Sequence, residues 1–406
     1  MKGFFKDKDF QSSKISTSKS VLSCFTCGLF QHASHPKFDP IGAFKKKILI
    51  IGGTPSSKED ARGLLWQGRE RRILEKGLAL SGINLDTDCL SINAINCYPD
   101  QVSVTKHQLD CCKLIKLIPI IKEYEPKIII LLGELALTGF LSQRWKKSAI
   151  GGVTKWRGWT IPDQDYKAWV LPLFHPSYIL ERNFKEIFQI WYNDLKKLDQ
   201  LLTTPFLVNK QPVIERIDDL SVLDNLISGK MAFDYETTGI KPHAKGHRII
   251  CVSIADTPDH AYVFEFPKKK KLRDPFIRFL QNEKIQKIAS NLKYEDQWSN
   301  FRVHTSVKGW YWDTMLTAHI LDNRQGISGL KFQAYVKLGV VDYDSDISPY
   351  LKSKQEGGNT INRIQELNNI PNGIEDLMYY CGLDSIYEYR VALLQEKEIM
   401  NYDLPF

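Results

Sequence analysis

Apolar and polar positions follow two regimes along this chain. Between Lys47 and about Leu202, short unbroken apolar runs (KKILIIGG, CLSINAINC, KIIILLG and AWVLPLF) alternate with longer amphipathic stretches. Apolar runs of four to eight residues without polar alternation predict strands buried on both faces. EDARGLLWQGRERRILEKGLALSG and residues 183–202 carry the helical period. This half therefore predicts a three-layer α/β domain around a mostly parallel sheet. The stretch TTPFLVNKQPVIERIDD (203–219) breaks the helical pattern with two prolines and reads as a linker. Beyond it, MAFDYETTG, RIICVSIAD and HAYVFEF form three successive strand patterns with turn signals between them, which predicts an antiparallel meander. Helical patterns then dominate as far as IEDLMYYCGLDSIYEYRVALLQEKEI. The expected order is a flexible basic lead-in (1–20), a first α/β domain (21–202), the linker (203–219) and a second α/β domain (220–406). No internal repeat interrupts it.

Composition narrows the class. A chain of 406 residues can bury two cores, and 43% hydrophobic with 25% charged residues is globular and excludes a disordered chain. No apolar run reaches the roughly 18 residues needed to span a bilayer, and the polar start MKGFFKDKDFQSSK leads into no signal-peptide core. An intracellular protein without a membrane partner is expected. The net charge of +8 is uneven: residues 1–200 hold 30 Lys/Arg against 20 Asp/Glu, residues 201–406 hold 25 against 27. A basic half suits a polyanion partner, because each neutralised phosphate releases counterions. Six of the eight cysteines fall in the first 112 residues, a clustering that argues for metal or cluster ligation over disulfides in an intracellular setting.

Candidate chemistry in the second half is acidic. Two-metal phosphodiester hydrolysis needs several carboxylates converging on ions roughly 4 Å apart. Asp234 and Glu236, in FDYETTG, share one strand face because side-chain direction repeats every two residues. IASNLKYEDQWSNF places Asn291 at a strand end and Glu295 and Asp296 at a helix start, and YYCGLDSIYEY places Tyr380 and Asp384 on one helix face. In order and spacing these resemble the three motifs of DnaQ-like 3′→5′ exonucleases, in the tyrosine form found in family A DNA polymerases. The resemblance covers roughly 212–400, with WDTMLTAHIL and SGLKFQAYVKLG between the motifs. It implies a ribonuclease H-like fold and two Mg or Mn ions held by Asp234, Glu236, Asp384 and a second-motif acid. It also implies a water-orienting Tyr380 and a substrate contact at Asn291. The family's second-motif Asp falls at Glu295, with Asp296 next to it. Spacing selects Glu295, and Asp296 is the alternative. Asp313 matches no ligand position.

In the first half, Cys24-Phe-Thr-Cys27 has the spacing that lets one loop ligate a metal. Cys97 is read at a strand end, and Cys111 and Cys112 at the opening of a helix. This pattern is compatible with zinc or with iron–sulfur. The order CFTCGL, IGGTPSSKEDARGLLWQG, SINAINCYP, LLGELA and LFHPSYILER resembles the iron–sulfur (family 4) uracil-DNA glycosylases over roughly 20–200. That resemblance implies a [4Fe–4S] cluster on Cys24, Cys27, Cys97 and Cys112, with Cys111 a possible substitute for Cys112. It further implies an aromatic platform at Trp66, a uracil-reading amide at Asn93 and leaving-group stabilisation by His175. The family's water-activating Glu is replaced by Gly53, and Ser56 replaces a common Gly. Glu59 and Asp60 match downstream family positions. The order of domains is similar to the front of some phage family A DNA polymerases, which places the protein in a bacterial or phage-infected cell. No room remains for palm, fingers and thumb, so the expected protein acts on DNA 3′ ends alone or beside a separate DNA polymerase. Its first domain is either a slow uracil-DNA glycosylase or an inert DNA-binding or docking module.

Overall fold

Fifteen residues of three strands, β1 (Ile48–Gly52), β2 (Cys89–Asn93) and β3 (Ile128–Leu132), are all buried. They are mostly β-branched or leucine, which suits strands covered on both faces. With β4 (Ile161–Asp163) and β5 (Ala168–Leu173) they form a sheet of order β2-β1-β3-β5-β4. Its pairings are parallel except β4 against β5. The helix Lys185–Thr203 buries Trp191, Leu195, Leu198 and Leu201 on one stripe, spacings of three and four that aim a single face at the core. The computed structural model describes residues 22–400 apart from 101–102, 146, 183, 342, 345, 354–356 and 358. The lead-in 1–20 lies outside the described residues.

The amphipathic stretch read as one helix is two. Ser57–Arg62 ends at Gly63, whose left-handed backbone closes the helix, and Arg69–Ala79 restarts after Gly68. Between them Trp66 also has a positive φ of 59°, which no continuous helix allows. Cys97 lies four residues beyond the end of β2, and Cys111 and Cys112 close the helix Lys106–Cys112.

The second sheet has the order β11-β10-β7-β8-β9-β6, built from β6 (Val213–Arg216), β7 (Gly229–Thr237), β8 (Ile249–Thr257), β9 (His260–Glu265), β10 (Ile285–Ala289) and β11 (Trp310–Asp313). β7-β8-β9 is the antiparallel meander, and β10, β11 and β6 add parallel neighbours. Within 203–219, then, residues 213–216 form an edge strand. Strand alternation divides β7: Phe233 and Tyr235 enter the core with Phe276, Phe279 and Trp298, so Asp234 and Glu236 fall on the opposite face. There the helix Gly373–Met400 approaches closely, and Ser253 Oγ donates to the carbonyl of Cys381 at 2.8 Å. Gly382 permits this approach, since a Cβ there would meet Ile214 at 2.7 Å and Val263 at 2.9 Å.

The described residues divide into two compact units, 22–209 with Val336–Val340, and Lys210–Tyr335 with 341–400.

Candidate active sites

In the second unit, β7 delivers Asp234 and Glu236, the helix Lys293–Trp298 delivers Glu295, and the long helix delivers Tyr380 and Asp384. Glu236, Glu295 and Asp384 are buried and Asp234 is half-buried, and all four are harder to ionise than usual. Burial is the largest cause in each case. The charge of Asp384 adds to it at Asp234, whose acid is pushed up to about 7, and the charge of Asp234 adds to it at Glu236 and Glu295. Asp384 is partly relieved by Lys331 and by the phenols of Tyr343 and Tyr380. Tyr343 Oη donates to Asp384 Oδ1 at 2.6 Å and its ring stacks on Tyr380, with centroids 5.8 Å apart. Glu295 Oε2 has no hydrogen-bond partner among the described residues. Crowded, buried acids with an unpartnered oxygen are costly unless a cation compensates them, so these residues fit divalent metal ions.

The two second-motif acids face different surroundings. Asp296 accepts from Trp310 Nε1 at 3.2 Å and Asn300 Nδ2 at 3.0 Å, whereas Glu295 is drawn into the field of Asp234. Asn291 has a left-handed backbone, φ 69°, and its N–H is held by Asp313. Asp313 accepts four backbone N–H groups, from Asn291, Leu292, Met315 and Leu316, at 3.0–3.1 Å. It fixes the motif loop to the end of β11.

Three side chains that motif reading passed over join this cluster. Cys381 Sγ lies 3.7 Å from Asp234 Oδ2, and its ligand atom and those of Asp234 and Glu236 all lie within 4.8 Å of one another. Tyr343 is the second phenol on Asp384. Glu388 is buried one helical turn beyond Asp384, at a spacing of four that could have been read from the sequence.

In the first unit the carboxyl ends of β1, β2, β3 and β5 lead to Gly53, Asn93, Gly133 and His175, the edge at which parallel α/β sheets bind ligands. A Cβ at Gly52 would come within 2.3 Å of Asn93 Oδ1, so a side chain there would displace the Asn93 amide. Asn96 Nδ2 donates to the Asn93 carbonyl at 2.9 Å and locks the following turn. Trp66 and the His175 ring lie nearly parallel, centroids 6.4 Å apart. The Ser177 N–H donates to His175 Nδ1 at 3.2 Å, so a neutral ring carries its proton on Nε2. Burial holds the imidazole neutral, with Glu70 opposing. Glu59 accepts the Trp66 N–H and caps its own helix at Ser56, while Asp60 accepts from Ser34 and His35. Those two acids pin loops. At Gly53 an added Cβ would touch only Leu135, at 3.8–3.9 Å.

Five cysteines, 24, 27, 97, 111 and 112, line a cavity of about 310 Å³, all as free thiols. Burial raises Cys27, Cys97 and Cys112, the last to about 12, while N–H groups of Leu29, Lys37 and Asn96 pull the other way. Cys112 feels Cys27, Cys97 and Cys24 together; Cys111 instead neighbours His107 Nε2 at 3.5 Å and Thr26 Oγ1 at 3.9 Å. Backbone N–H groups aimed at clustered sulfurs fit a thiolate-bound metal group.

Residues 40–196 match the uracil DNA glycosylase superfamily. A type-4 uracil-DNA glycosylase of Thermotoga maritima is 30% identical over 182 residues, covering 44% of this chain and 90% of the relative. The chain belongs to the uracil-DNA glycosylase superfamily, in its family 4 branch. A type-4 enzyme of Archaeoglobus fulgidus is 23% identical over 187 residues, covering 45% and 90%. Residues 213–397 match the 3′-5′ exonuclease family of the DNA polymerase A type, so the second domain makes this protein a 3′–5′ exonuclease. Among solved structures, NrnC of Brucella melitensis with bound Mg²⁺ aligns at 18% identity and a TM-score of 0.34, covering 46% of this chain and 80% of that one. Two DNA-acting domains imply DNA as partner and divalent metals for the exonuclease. No helix among the described residues is long and apolar enough to cross a membrane.

Proposed function

We propose that the second domain is a two-metal, proofreading-type exonuclease acting on single-stranded or frayed DNA 3′ ends, with Asp234, Glu236, Glu295 and Asp384 holding two Mg or Mn ions. The observation that carries this reading is the convergence of four carboxylates, three buried and Asp234 half-buried, from three separate elements, all of them harder to ionise than usual. When bound, the ions would acidify the attacking water and neutralise charge on the leaving oxygen. Tyr343 and Tyr380 both hydrogen-bond to Asp384, Tyr380 serves as the phenol that orients water, and Asn291 borders the path of the substrate. The domain serves DNA repair or replication, alone or beside a separate DNA polymerase. Denaturing gels on 3′- and 5′-labelled DNA test this: loss of nucleotides from the 3′ end with Mg²⁺, none in EDTA, is expected. Full digestion in EDTA, or by Asp234→Ala, overturns it.

For the first domain we infer uracil recognition with weak excision or none. Trp66, Asn93 and His175 supply platform, amide and Nε2–H donor. Gly53 supplies no acid, and the nearby Glu59 is occupied in capping. Cys24, Cys27, Cys97 and Cys112 would hold a [4Fe–4S] cluster and staple the stretch around residues 23–37 to the domain. The alternative, an inert DNA-binding or docking module, draws support from the same missing acid.

A further inference from the structure

The long helix presents Tyr380, Asp384 and Glu388 at successive intervals of four, hence on one face. Glu388 is 2% exposed. Its Oε1 accepts the Ser290 N–H at 3.0 Å, and Ser290 immediately precedes Asn291 and the turn that leads into the helix carrying Glu295. Its Oε2 has no partner among the described residues, and neither has Oε2 of Glu295, which is 1% exposed. Asp313, by contrast, spends its oxygens on four backbone N–H groups and is wholly accounted for as a loop clamp. Burial holds the Glu388 acid well above the ordinary carboxylate range, and the charges of Asp234, Glu295 and Asp384 act on it in the same sense. A buried acid that served packing alone would be expected to satisfy both oxygens. Here two unsatisfied carboxylate oxygens belong to one buried acidic cluster, and among the described residues no lysine or arginine acts on Glu388 to compensate them.

We propose that Glu388 is a fifth carboxylate of the exonuclease metal centre, sharing a divalent cation with Glu295. The inference rests on the two-metal reading given above. Glu388 thus supplies charge from the helix side of the site, one turn beyond Asp384. It also ties the helix to the Ser290 end of the second-motif loop, so that binding a cation and seating Glu295 become one event. The cation class is hard and oxygen-preferring, Mg²⁺ or Mn²⁺.

Mn²⁺ binding to the full chain, followed by the electron paramagnetic resonance of free Mn²⁺ and by calorimetry, is the test. Glu388→Gln keeps an acceptor for Ser290 and removes only the charge. It should weaken at least one Mn²⁺ by about 10–100-fold, while Glu396→Gln, whose parent carboxylate pairs with Lys230 at 2.7 Å, should bind as wild type does. An isotherm for Glu388→Gln that overlays wild type overturns the inference. Failure of wild type to bind Mn²⁺ at all would instead overturn the two-metal reading. Should Glu388→Gln not fold, anomalous scattering from wild-type crystals soaked in Mn²⁺ decides: Oε2 at about 2.0–2.6 Å from an ion supports the role, and no ion in contact with Oε2 refutes it.

Discussion

Glu295 and Asp296 are adjacent acids with opposite surroundings, and the difference can be measured. Asp296 is satisfied by Trp310 and Asn300, so Asp296→Ala should lower stability modestly and leave the exonuclease rate within a few-fold of wild type. Glu295→Ala should cost at least about a hundredfold, as loss of a group that seats a metal does; equal rates for the two variants would remove Glu295 from the site. Spacing alone pointed to Glu295, because a motif counts residues. The same method missed Glu388 and Tyr343: Tyr343 lies 41 residues before its partner Asp384, and no local period links them. His175 offers a second test. Burial depresses its imidazolium below the ordinary value of 6.5, so the unfolded chain binds a proton that the folded chain refuses. Stability from this source is complete above pH 6.5 and is lost as pH falls through the depressed value. Thermal melts of wild type should fall in that window, and those of His175→Gln should fall less steeply. A steeper fall in the variant would mean His175 is charged when folded.

Strands were the most legible elements, because runs such as ILIIG and IIILL are buried over their whole length and admit few other readings. The helix break before Trp66 was hidden, since apolar spacing continues through it and a positive φ leaves no trace in hydrophobicity. Strand ends were harder still: the pattern CLSINAINC runs on past Asn93, where the hydrogen-bonded ladder stops. That shift matters for the cysteines, because it places Cys97 in the turn locked by Asn96, beside the N–H of Lys37 at 3.3 Å. The adjacent pair at the end of the helix Lys106–Cys112 is then separable by experiment. Cys112 feels the charges of three other thiols, Cys27, Cys97 and Cys24, whereas Cys111 enters as a neighbour of Cys27. Anaerobically purified Cys111→Ala should therefore retain about four irons per chain, whereas Cys112→Ala should lose iron and the broad visible absorption that comes with it. The reverse pattern would make Cys111 the ligand, and one zinc per chain with no iron in wild type would refute the cluster.

The molecule as a whole joins a uracil-DNA-glycosylase-like domain to an exonuclease domain, and the exonuclease complicates any measurement of base release. A strand containing uracil can be shortened from its 3′ end before any base is released, so excision has to be read where the exonuclease is silent. Asp234→Ala provides that background. The basic half of the chain, 30 Lys/Arg against 20 Asp/Glu, should give salt-dependent binding to any strand. A preference for uracil over thymine should sit above that background and vanish in Asn93→Ala. Losing one acid–base group typically costs about 10²–10⁴-fold, which leaves recognition intact while turnover falls. Restoring the acid is sterically open, since a Cβ at Gly53 meets only Leu135 at 3.8–3.9 Å and that backbone is not left-handed. In the Asp234→Ala background, Gly53→Glu should therefore raise uracil release, measured as alkali-labile sites in a 5′-labelled strand. The gain should depend on His175, because the carboxylate positions water while the Nε2–H donor stabilises the departing base. If the double variant releases no uracil and its parent shows no uracil preference at low salt, the pocket reads no base. The first domain would then contribute its charge and its grip on DNA to the exonuclease alone.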